Sequence, residues 1–392
     1  MKPAIIAIGY NRPHSLKRLL TSLNNAYYDY DNIKLIISID HSKHENDEKN
    51  AATISLARSF EWQHGEKEVI YREKNMGLRP HVLACGNLTE KYGSIIMLED
   101  DIYASPMFYK YACAALDFCQ DKDYVAGISL YNHKLNFQTG DLFYPIEDGY
   151  DNWYLKFPQS WGQAWTRDQW QGFKGWYDQN SGLLLQDDNM PATVLSWPES
   201  SWMKYFARYM LLTNKFFFYP KCSFTTNSCD AGTNSVGNYN DISYQVPFFC
   251  SFARSFYFSD ICQSGSVYDQ FFENVNLYKT LGIAHDKLTV DLFGHKPVPN
   301  SGFLLSLKHL DFKIIKSYAC SQRPLDMNII NDISGQNFYL YDLSEKAGNK
   351  FKTSPKLPLS YNYKALDRRS QLLIALTFLK NCFSSVKRRI IK

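Results

Sequence analysis

Three consecutive acidic residues, Glu99, Asp100 and Asp101, directly follow a short apolar run, Ile95–Leu98. Adjacent carboxylates repel one another, so the cluster is costly unless a cation lies among them. Their oxygens suit Mg²⁺ or Mn²⁺, ions that keep several waters and bind phosphate oxygens at the same time. The triplet therefore predicts a metal site for a phosphate-bearing ligand, although a solvated turn that caps the next helix would use the same residues.

The elements around the triplet alternate between strand and helix patterns through the first 130 residues. Four apolar runs predict buried strands: Ala4–Ile8, Ile33–Ile39, Val69–Tyr71 and Ile95–Leu98. Helical patterns lie between and after them: from Pro13 through Leu23, around Ile54–Phe60, from about Pro80 to Tyr92, and from Ser105-Pro106 towards Cys119. Repeated β-α units predict an α/β fold with a parallel sheet covered by helices.

Polar residues follow the ends of these predicted strands. Such sheets bind ligands beyond the carboxyl ends of their strands. We therefore expect one crevice to be lined by four groups: Asn11 with Arg12, Asp40, Asn75, and the 99–101 triplet.

The metal-site segment of GT-A-fold glycosyltransferases resembles Ile95–Phe108, IIMLEDDIYASPMF. The segment is especially similar to the Golgi α-mannoside β-1,2-N-acetylglucosaminyltransferase family, whose metal site is a Glu-Asp-Asp motif. Asn11-Arg12-Pro13 resembles that family's turn after the first strand, and Ser38-Ile39-Asp40 resembles its second-strand aspartate. Asn75-Met76-Gly77-Leu78 resembles the Asn-x-Gly segment of bacterial GT-A sugar transferases.

The resemblance implies specific roles at a nucleotide-sugar site. Asp101 would coordinate Mn²⁺ or Mg²⁺, Asp100 would contact the ribose or an outer water, and Asp40 would accept a hydrogen bond from the uracil edge. Arg12 would approach the nucleotide, and Arg79 would meet a phosphate or the base unless it is a plain surface arginine. The same site would include Gly9, Asn11, Asn75, Gly77 and Glu99.

The resemblance also points to a general base in the second half of the chain. Trp197–Met203 resembles a segment in which the family has a Trp-Asp-Asp-Trp-Met run that supplies its catalytic aspartate. Here Ser200-Ser201 stand where the family has acids. We therefore expect Glu199 to be the base, in the first turn of a helix that faces the crevice. The alternatives are Asp187 and Asp188.

Two further segments resemble family loops. Phe157–Trp165 resembles the loop that holds donor and acceptor, in which Gly162 would allow close backbone approach and Trp161 would stack on a sugar. A buried core tryptophan would fit the same pattern. Cys229–Gly237 resembles the loop that orders over bound donor, although a plain surface loop is the alternative.

Bulk composition excludes some classes of protein. The net charge of +4 does not favour nucleic-acid binding. Nine scattered cysteines without a CxxC pair indicate a reducing compartment and argue against a zinc site. No apolar stretch is long enough to predict a transmembrane helix, so we expect a cytoplasmic protein.

Basic residues gather at the C-terminal end, where Lys364 to Lys392 contain eight Lys and Arg and one acid. An apolar stripe at helical spacing runs beside them: Leu372, Leu373, Leu376, Leu379 and Phe383. The pattern predicts an amphipathic helix on an anionic membrane surface, at the inner face of the membrane. A helix packed on the protein body is the alternative.

These observations predict three parts: residues 1–130 as a Rossmann-like nucleotide-sugar-binding part, 131–345 as a mixed acceptor-binding and catalytic part, and 346–392 as a linker with a basic amphipathic tail. A second-half helix is predicted over Ser266–Leu281. The predicted function is a metal-dependent, inverting glycosyltransferase that uses a UDP-sugar and a glycan or lipid-linked acceptor. A nucleotidyltransferase would carry a Gly-rich phosphate loop where this chain has Pro13. A non-catalytic carbohydrate-binding protein on the same fold is the other alternative.

Overall fold

A computed structural model describes residues 1–182, 189–231, 244–351, 367–372, 374–376 and 379. The alternative bases Asp187 and Asp188 lie outside the described residues, as do most of the loop predicted at Cys229–Gly237 and much of the C-terminal tail.

Within the described residues the chain forms fifteen strands. Their bounds are β1 Ala4–Gly9, β2 Leu35–Ile39, β3 Lys67–Tyr71, β4 Ser94–Glu99, β5 Ile102–Ala104, β6 Val125–Ser129, β7 Asn152–Leu155, β8 Gln163–Thr166, β9 Phe216–Pro220, β10 Thr225–Asn227, β11 Val267–Tyr268, β12 Leu288–Asp291, β13 Phe303–Ser306, β14 Lys313–Tyr318 and β15 Phe338–Asp342.

The named helices of the described residues are α1 Pro13–Asn24, α2 Glu48–Ser59, α3 Leu78–Gly86, α4 Thr89–Tyr92, α5 Phe108–Cys119, α6 Arg167–Asn180, α7 Ala192–Leu195, α8 Trp202–Leu212, α9 Leu277–Leu281 and α10 Met327–Ile330, with a 3₁₀ turn at His285–Lys287.

Nine strands form one sheet in the order β11-β7-β9-β6-β8-β4-β1-β2-β3. β3, β2, β1 and β4 run parallel, whereas β8 lies antiparallel between β4 and β6. The parallel part is a Rossmann-like half-sheet with helices on both faces. The predicted α/β fold class is therefore confirmed, with strands from both halves of the chain in the same sheet.

Alternate residues of β1 enter two separate cores, as expected of a strand buried on both faces. Ile6 and Ile8 pack in the core that contains residues of α3, α6 and α8. Ile5 and Ala7 pack in the core that contains residues of α1 and α5. Because β1 is covered on both faces, its carboxyl end is the part left to meet a ligand.

The second half of the chain departs from the predicted elements at Ser266–Leu281. Val267–Tyr268 is a strand, paired in parallel with β7, and only Leu277–Leu281 is helical. The predicted helix over this whole segment is wrong, because pairing with β7 overrides the local helical spacing. A separate four-stranded sheet, in the order β12-β13-β15-β14, follows this segment.

The described part of the tail is helical at residues 368–372, 374–376 and 379. Leu372, Ile374, Leu376 and Leu379 are each about half exposed or more. None of these four side chains is buried, whereas Leu373 and Phe383 lie outside the described residues. Among the described helices, none is long and apolar enough to span a membrane.

Candidate functional site

The candidate site lies at the carboxyl ends of β1, β2 and β4. β1 is the central strand of the three, because β2 pairs with one of its edges and β4 with the other. Chain order changes direction at this point, from β1 out to β2 and β3 on one side and to β4 on the other. Such a switch point opens a crevice between the loops that leave the two central strands.

Arg12 and the acidic triplet meet in this crevice. Arg12 Nε donates to Asp100 Oδ2 at 3.1 Å, and Nη2 pairs with the other oxygen of the same carboxylate. Nη1 and Nη2 also donate to Asp101 Oδ2 at 3.2 and 3.3 Å. The predicted meeting of the ends of β1 and β4 is therefore present, with the arginine bound to the acids.

Burial and mutual repulsion shift the titration of these acids. Burial, with repulsion from Asp101 and Asp100, raises the pKa of Glu99 to about 8. Burial raises the pKa of Asp100 to about 6 although Arg12 opposes the shift. Burial would lower the pKa of the Arg12 guanidinium, but Asp100 and Asp101 raise it overall, so this cation stays charged. The raised pKa values of Glu99 and Asp100 thus reflect the cost of holding neighbouring carboxylates in a buried crevice with one cation.

Asp101 has one oxygen without a partner. Oδ2 accepts from Arg12, whereas the buried Oδ1 has no hydrogen-bond partner. A buried carboxylate oxygen without a donor carries a desolvation cost that a cation would offset. The described residues contain no group of three or more His, Cys, Asp or Glu side chains placed to hold a metal. Mg²⁺-like ions need only one or two carboxylates when phosphates and water complete the shell, so Asp101 fits such an ion.

Asp40 supports the loop that carries Asn75 and Gly77. Its Oδ1 accepts from the backbone N–H of Met76 and of His41, each at 2.9 Å. Its Oδ2 accepts from the Gly77 N–H at 2.9 Å and from Asn75 Nδ2 at 3.3 Å. A carboxylate has about four lone-pair sites, and all four are used. Asp40 is buried beneath this loop.

Gly77 and Gly9 have different reasons to be glycine. Gly77 has φ of +76°, and a Cβ there would meet nothing within 4 Å, so the backbone conformation requires it. A Cβ at Gly9 would meet Ile39 Cδ1 at 3.0 Å, so Gly9 serves the packing of β1 against β2. Asn11, next along the turn, is a hydrogen-bond partner of Asp47.

Glu199 lies in a cluster of polar side chains beside α3 and α8. Its carboxylate accepts from Lys204 Nζ at 3.0 Å and from the Tyr205 hydroxyl at 2.6 Å. These hydrogen bonds lower the pKa of Glu199. The Arg79 guanidinium lies 4.7 Å from the centre of the Tyr205 ring, and its buried Nη1 has no hydrogen-bond partner.

The predicted position of Glu199 within a helix is wrong. α8 begins at Trp202 after an N-cap at Ser201, so Glu199 precedes the first turn. Its side chain is 71% exposed. The preceding Pro198 has no N–H, and Ser201 N–H donates to the Pro198 carbonyl in a turn that ends before the helix begins. Glu199 is thus an exposed carboxylate held by two donors, which makes it a weaker base than a buried one.

Trp161 is partly buried among other aromatic rings. Its ring centre lies 4.8 Å from that of Tyr131 and 4.6 Å from that of Tyr244. Gly162 has φ of +98°, and a Cβ there would lie 2.8 Å from Thr225 Cγ2. Close packing against β10 and a positive φ thus account for Gly162, and Trp161 is partly exposed.

Asp230 lies in the segment that resembles a donor-covering loop, but the sequence analysis did not predict its contact with α1. It accepts from Ser15 Oγ at 2.7 Å and pairs with Arg18, both on α1. The pairing of β10 with β5, just after Asp101, carries the chain towards α1, and Ser228 N–H donates to the Asp101 carbonyl at 2.8 Å. No local pattern predicts this contact, because antiparallel pairing between distant segments brings Asp230 to α1.

Comparison with known proteins finds only a weak similarity of this structure to some solved structures. The sequence matches no protein family and no curated protein. Among solved structures, the chain is similar to S. aureus TarS in complex with UDP-GlcNAc at 13% identity and a TM-score of 0.38, over 60% of each chain. It is also similar to GalNAc-T7 with UDP, GalNAc and Mn²⁺, at 12% identity and a TM-score of 0.38, over 60% of this chain and 44% of that one.

A third similar structure is the mannosyltransferase PcManGT from Pyrobaculum calidifontis in complex with GDP-Man and Mn²⁺, at 12% identity and a TM-score of 0.30. The match covers 43% of this chain and 46% of the mannosyltransferase. The chain thus spans less than two thirds of each of these three proteins. Likeness at this level does not assign a function.

Proposed function

We propose that this chain is a metal-dependent glycosyltransferase that moves a sugar from a UDP-sugar to a hydroxyl of a glycan or lipid-linked acceptor, with inversion. The observation that carries the proposal is the unpartnered Oδ1 of Asp101, which lies beside buried Asp100 at a switch point of the sheet. An acidic crevice with an open carboxylate oxygen suits a divalent ion together with a phosphate-bearing ligand.

Asp101 would hold Mn²⁺ or Mg²⁺ in this proposal. The ion would stabilise the negative charge that develops on the leaving diphosphate. Arg12 and Arg79 would meet the nucleotide or its phosphates, and the partly exposed Trp161 would stack on a sugar. The proposed site would also include Glu99, Asp100, Asn11, Gly9 and Gly162.

Asp40 is a positioning residue in this proposal. Since its four lone-pair sites are already used, it would act on the base through the loop that it supports rather than by direct contact. Asn75 and Gly77 in that loop would then present backbone and side-chain groups to the uracil.

Glu199 is proposed as the general base for the acceptor hydroxyl. A single base suffices for inversion because the hydroxyl attacks the anomeric carbon directly and no covalent intermediate forms. Its lowered pKa keeps it ionised at neutral pH, so it is ready to accept a proton although its driving force is small. Ser200 and Ser201 in place of acids favour the second candidate, a non-catalytic sugar-binding protein.

The test is Mn²⁺-dependent binding of nucleotide sugars, measured by thermal shift and calorimetry with UDP-, GDP- and dTDP-sugars. We expect UDP-sugars to bind best, and Asp101→Ala to abolish the dependence on Mn²⁺ while the circular dichroism spectrum is unchanged. Asp31→Ala, an exposed acid after α1, is the matched control. Full transfer activity in excess EDTA, or tighter binding of GDP than of UDP, would contradict the proposal. Donor binding without hydrolysis or transfer would favour the non-catalytic candidate.

A further inference from the structure

Arg12 contacts the same carboxylate that the proposed metal ion would need. We infer that Arg12 is a built-in counter-cation of the acidic turn, which a divalent ion displaces from Asp101 when it binds. This inference rests on the metal site of the proposed function, and it adds a competition between a side chain and the ion.

The geometry of Arg12 explains why it can fill the place of a cation. Its Nε and Nη2 donate hydrogen bonds to the two oxygens of Asp100, and Nη2 also donates to Asp101 Oδ2. A planar fork of this kind matches a carboxylate better than a lysine ammonium does. One side chain thus bridges two acids that would otherwise repel each other.

The bridge uses half of the Asp101 carboxylate. Oδ2 is occupied by the guanidinium, whereas Oδ1 is buried and unpartnered. A divalent ion at Oδ1 would lie within a few ångströms of the guanidinium and repel it strongly. Arg12 must therefore withdraw from Asp101, or the ion binds weakly.

The position of Arg12 permits such a withdrawal. It is the N-cap residue of α1, and its long side chain has several rotatable bonds, so the guanidinium can change its contacts while the backbone stays in place. The side chain is 23% exposed, compared with 5% for that of Asp100, so it faces the open side of the crevice. Once released from Asp101, the guanidinium would point towards the phosphates of a bound nucleotide.

Arg18, an arginine on α1, is paired with Asp230 and not with the acidic turn. Ser15 on α1 also donates to the Asp230 carboxylate. Removal of Arg12 would therefore leave Glu99, Asp100 and Asp101 without this counter-charge, and we expect a divalent ion to bind them more tightly.

The experiment measures Mn²⁺ binding directly, from the electron paramagnetic resonance signal of free Mn²⁺, with no activity readout. The proteins are the wild type, Arg12→Gln, Arg12→Lys, and Arg58→Gln as a control that removes one exposed charge from α2. We expect Arg12→Gln to bind Mn²⁺ roughly 10-fold more tightly, since close charges interact by at least the 1.4 kcal/mol that a factor of ten represents. Arg12→Lys should bind with intermediate affinity, and Arg58→Gln should match the wild type.

Thermal melts give a second readout. Without metal, Arg12→Gln should have a lower melting temperature than the wild type. Addition of Mn²⁺ should raise the melting temperature of Arg12→Gln more than that of the wild type. If Arg12→Gln fails to fold, the Mn²⁺ affinity of Arg12→Lys tests the inference instead. This variant retains the positive charge but cannot bind a carboxylate at two points as the guanidinium does. Equal or weaker Mn²⁺ binding by both variants would overturn the role of Arg12 while the wild-type metal site stands. Absence of Mn²⁺ binding by every protein, with and without UDP, would overturn the metal site and the inference together.

Discussion

Asp40 Oδ2 accepts a hydrogen bond from the backbone N–H of Gly77 at 2.9 Å, which ties the end of β2 to the N-cap of α3. Met76 donates to the other oxygen of the same carboxylate. The loop that carries Asn75 therefore depends on one buried side chain.

Asp40→Ala should weaken both the fold and nucleotide binding. The change leaves the Met76 and Gly77 N–H groups without their acceptor, and each unpaired buried group costs about 1–3 kcal/mol. We expect the free energy of unfolding in urea to fall by at least about 1–3 kcal/mol, and UDP binding to weaken by a similar amount. Asp178→Ala, an exposed acid on α6, is the control. Unchanged stability together with weakened UDP binding would instead favour direct contact between Asp40 and the base.

Glu199→Gln should lower kcat by about 10²–10⁴ with little change in donor affinity, because the variant retains size and hydrogen bonding but cannot accept the proton. Rates and product configuration are measured together, and the product should have the anomeric configuration opposite to that of the donor. Glu345→Gln is a matched control, since Glu345 is also an exposed glutamate paired with a lysine, at 2.8 Å from Lys313 on β14. Near-full activity of Glu199→Gln would show that another acid is the base, and Asp187 and Asp188 would be tested next.

The pH dependence of stability should contain a contribution from Asp326. Burial raises its pKa to about 7, although a hydrogen bond from Tyr268 opposes the shift. The native state then binds a proton between about pH 4 and pH 7 that the unfolded state has released, so the free energy of unfolding falls as pH rises through that window.

The amide side chain of the Asp326→Asn variant cannot ionise. The free energy of unfolding of this variant should therefore not show the decline with rising pH that Asp326 causes in the wild type. At about 1.4 kcal/mol per pH unit, the decline of the wild type between pH 5 and pH 7 amounts to about 3 kcal/mol, so the stability of Asp326→Asn relative to the wild type should rise by about that amount between pH 5 and pH 8. Urea unfolding at both pH values measures the difference, and Asp332→Asn, an exposed acid near α10, is the control. Parallel pH profiles for the wild type and Asp326→Asn would show that Asp326 is ionised throughout.

Deletion of residues 368–392 should abolish binding to anionic vesicles. The deleted segment carries most of the basic residues of the tail together with exposed Leu372, Leu376 and Leu379. Attraction to anionic lipid weakens as salt screens it, so wild-type binding should fall as salt rises. Co-sedimentation measures the bound fraction, with neutral vesicles as control and donor hydrolysis as a check that the body is intact. Equal vesicle binding by the shortened chain would exclude the tail as the membrane contact.

The sequence predicts the parallel part of the sheet because local patterns determine it. Continuous apolar runs and strand-end polar residues placed Arg12 beside Asp100 and Asp101 correctly. The predicted helix from about Pro80 to Tyr92 is two helices, separated near Asn87. A strand at Ile102–Ala104 was missed because it forms only by pairing with β10, more than a hundred residues later. The contact of Asp230 with α1 and the strand β11 were missed for the same reason, since local spacing carries no information on distant partners.

The position of β8 has a consequence for how the chain reaches its native state. β8 lies between β4 and β6 and pairs with both, yet its residues follow β4 by about seventy positions. Until that segment arrives, β4 has one open edge with unpaired backbone groups, which other chains could join. Pairing between strands so far apart in sequence closes long loops, and the chain entropy lost in doing so is offset only after the contacts form. This slows folding. During synthesis, the open edge of β4 would therefore be at risk of aggregation until β8 pairs with it, well after the residues of the acidic crevice have left the ribosome.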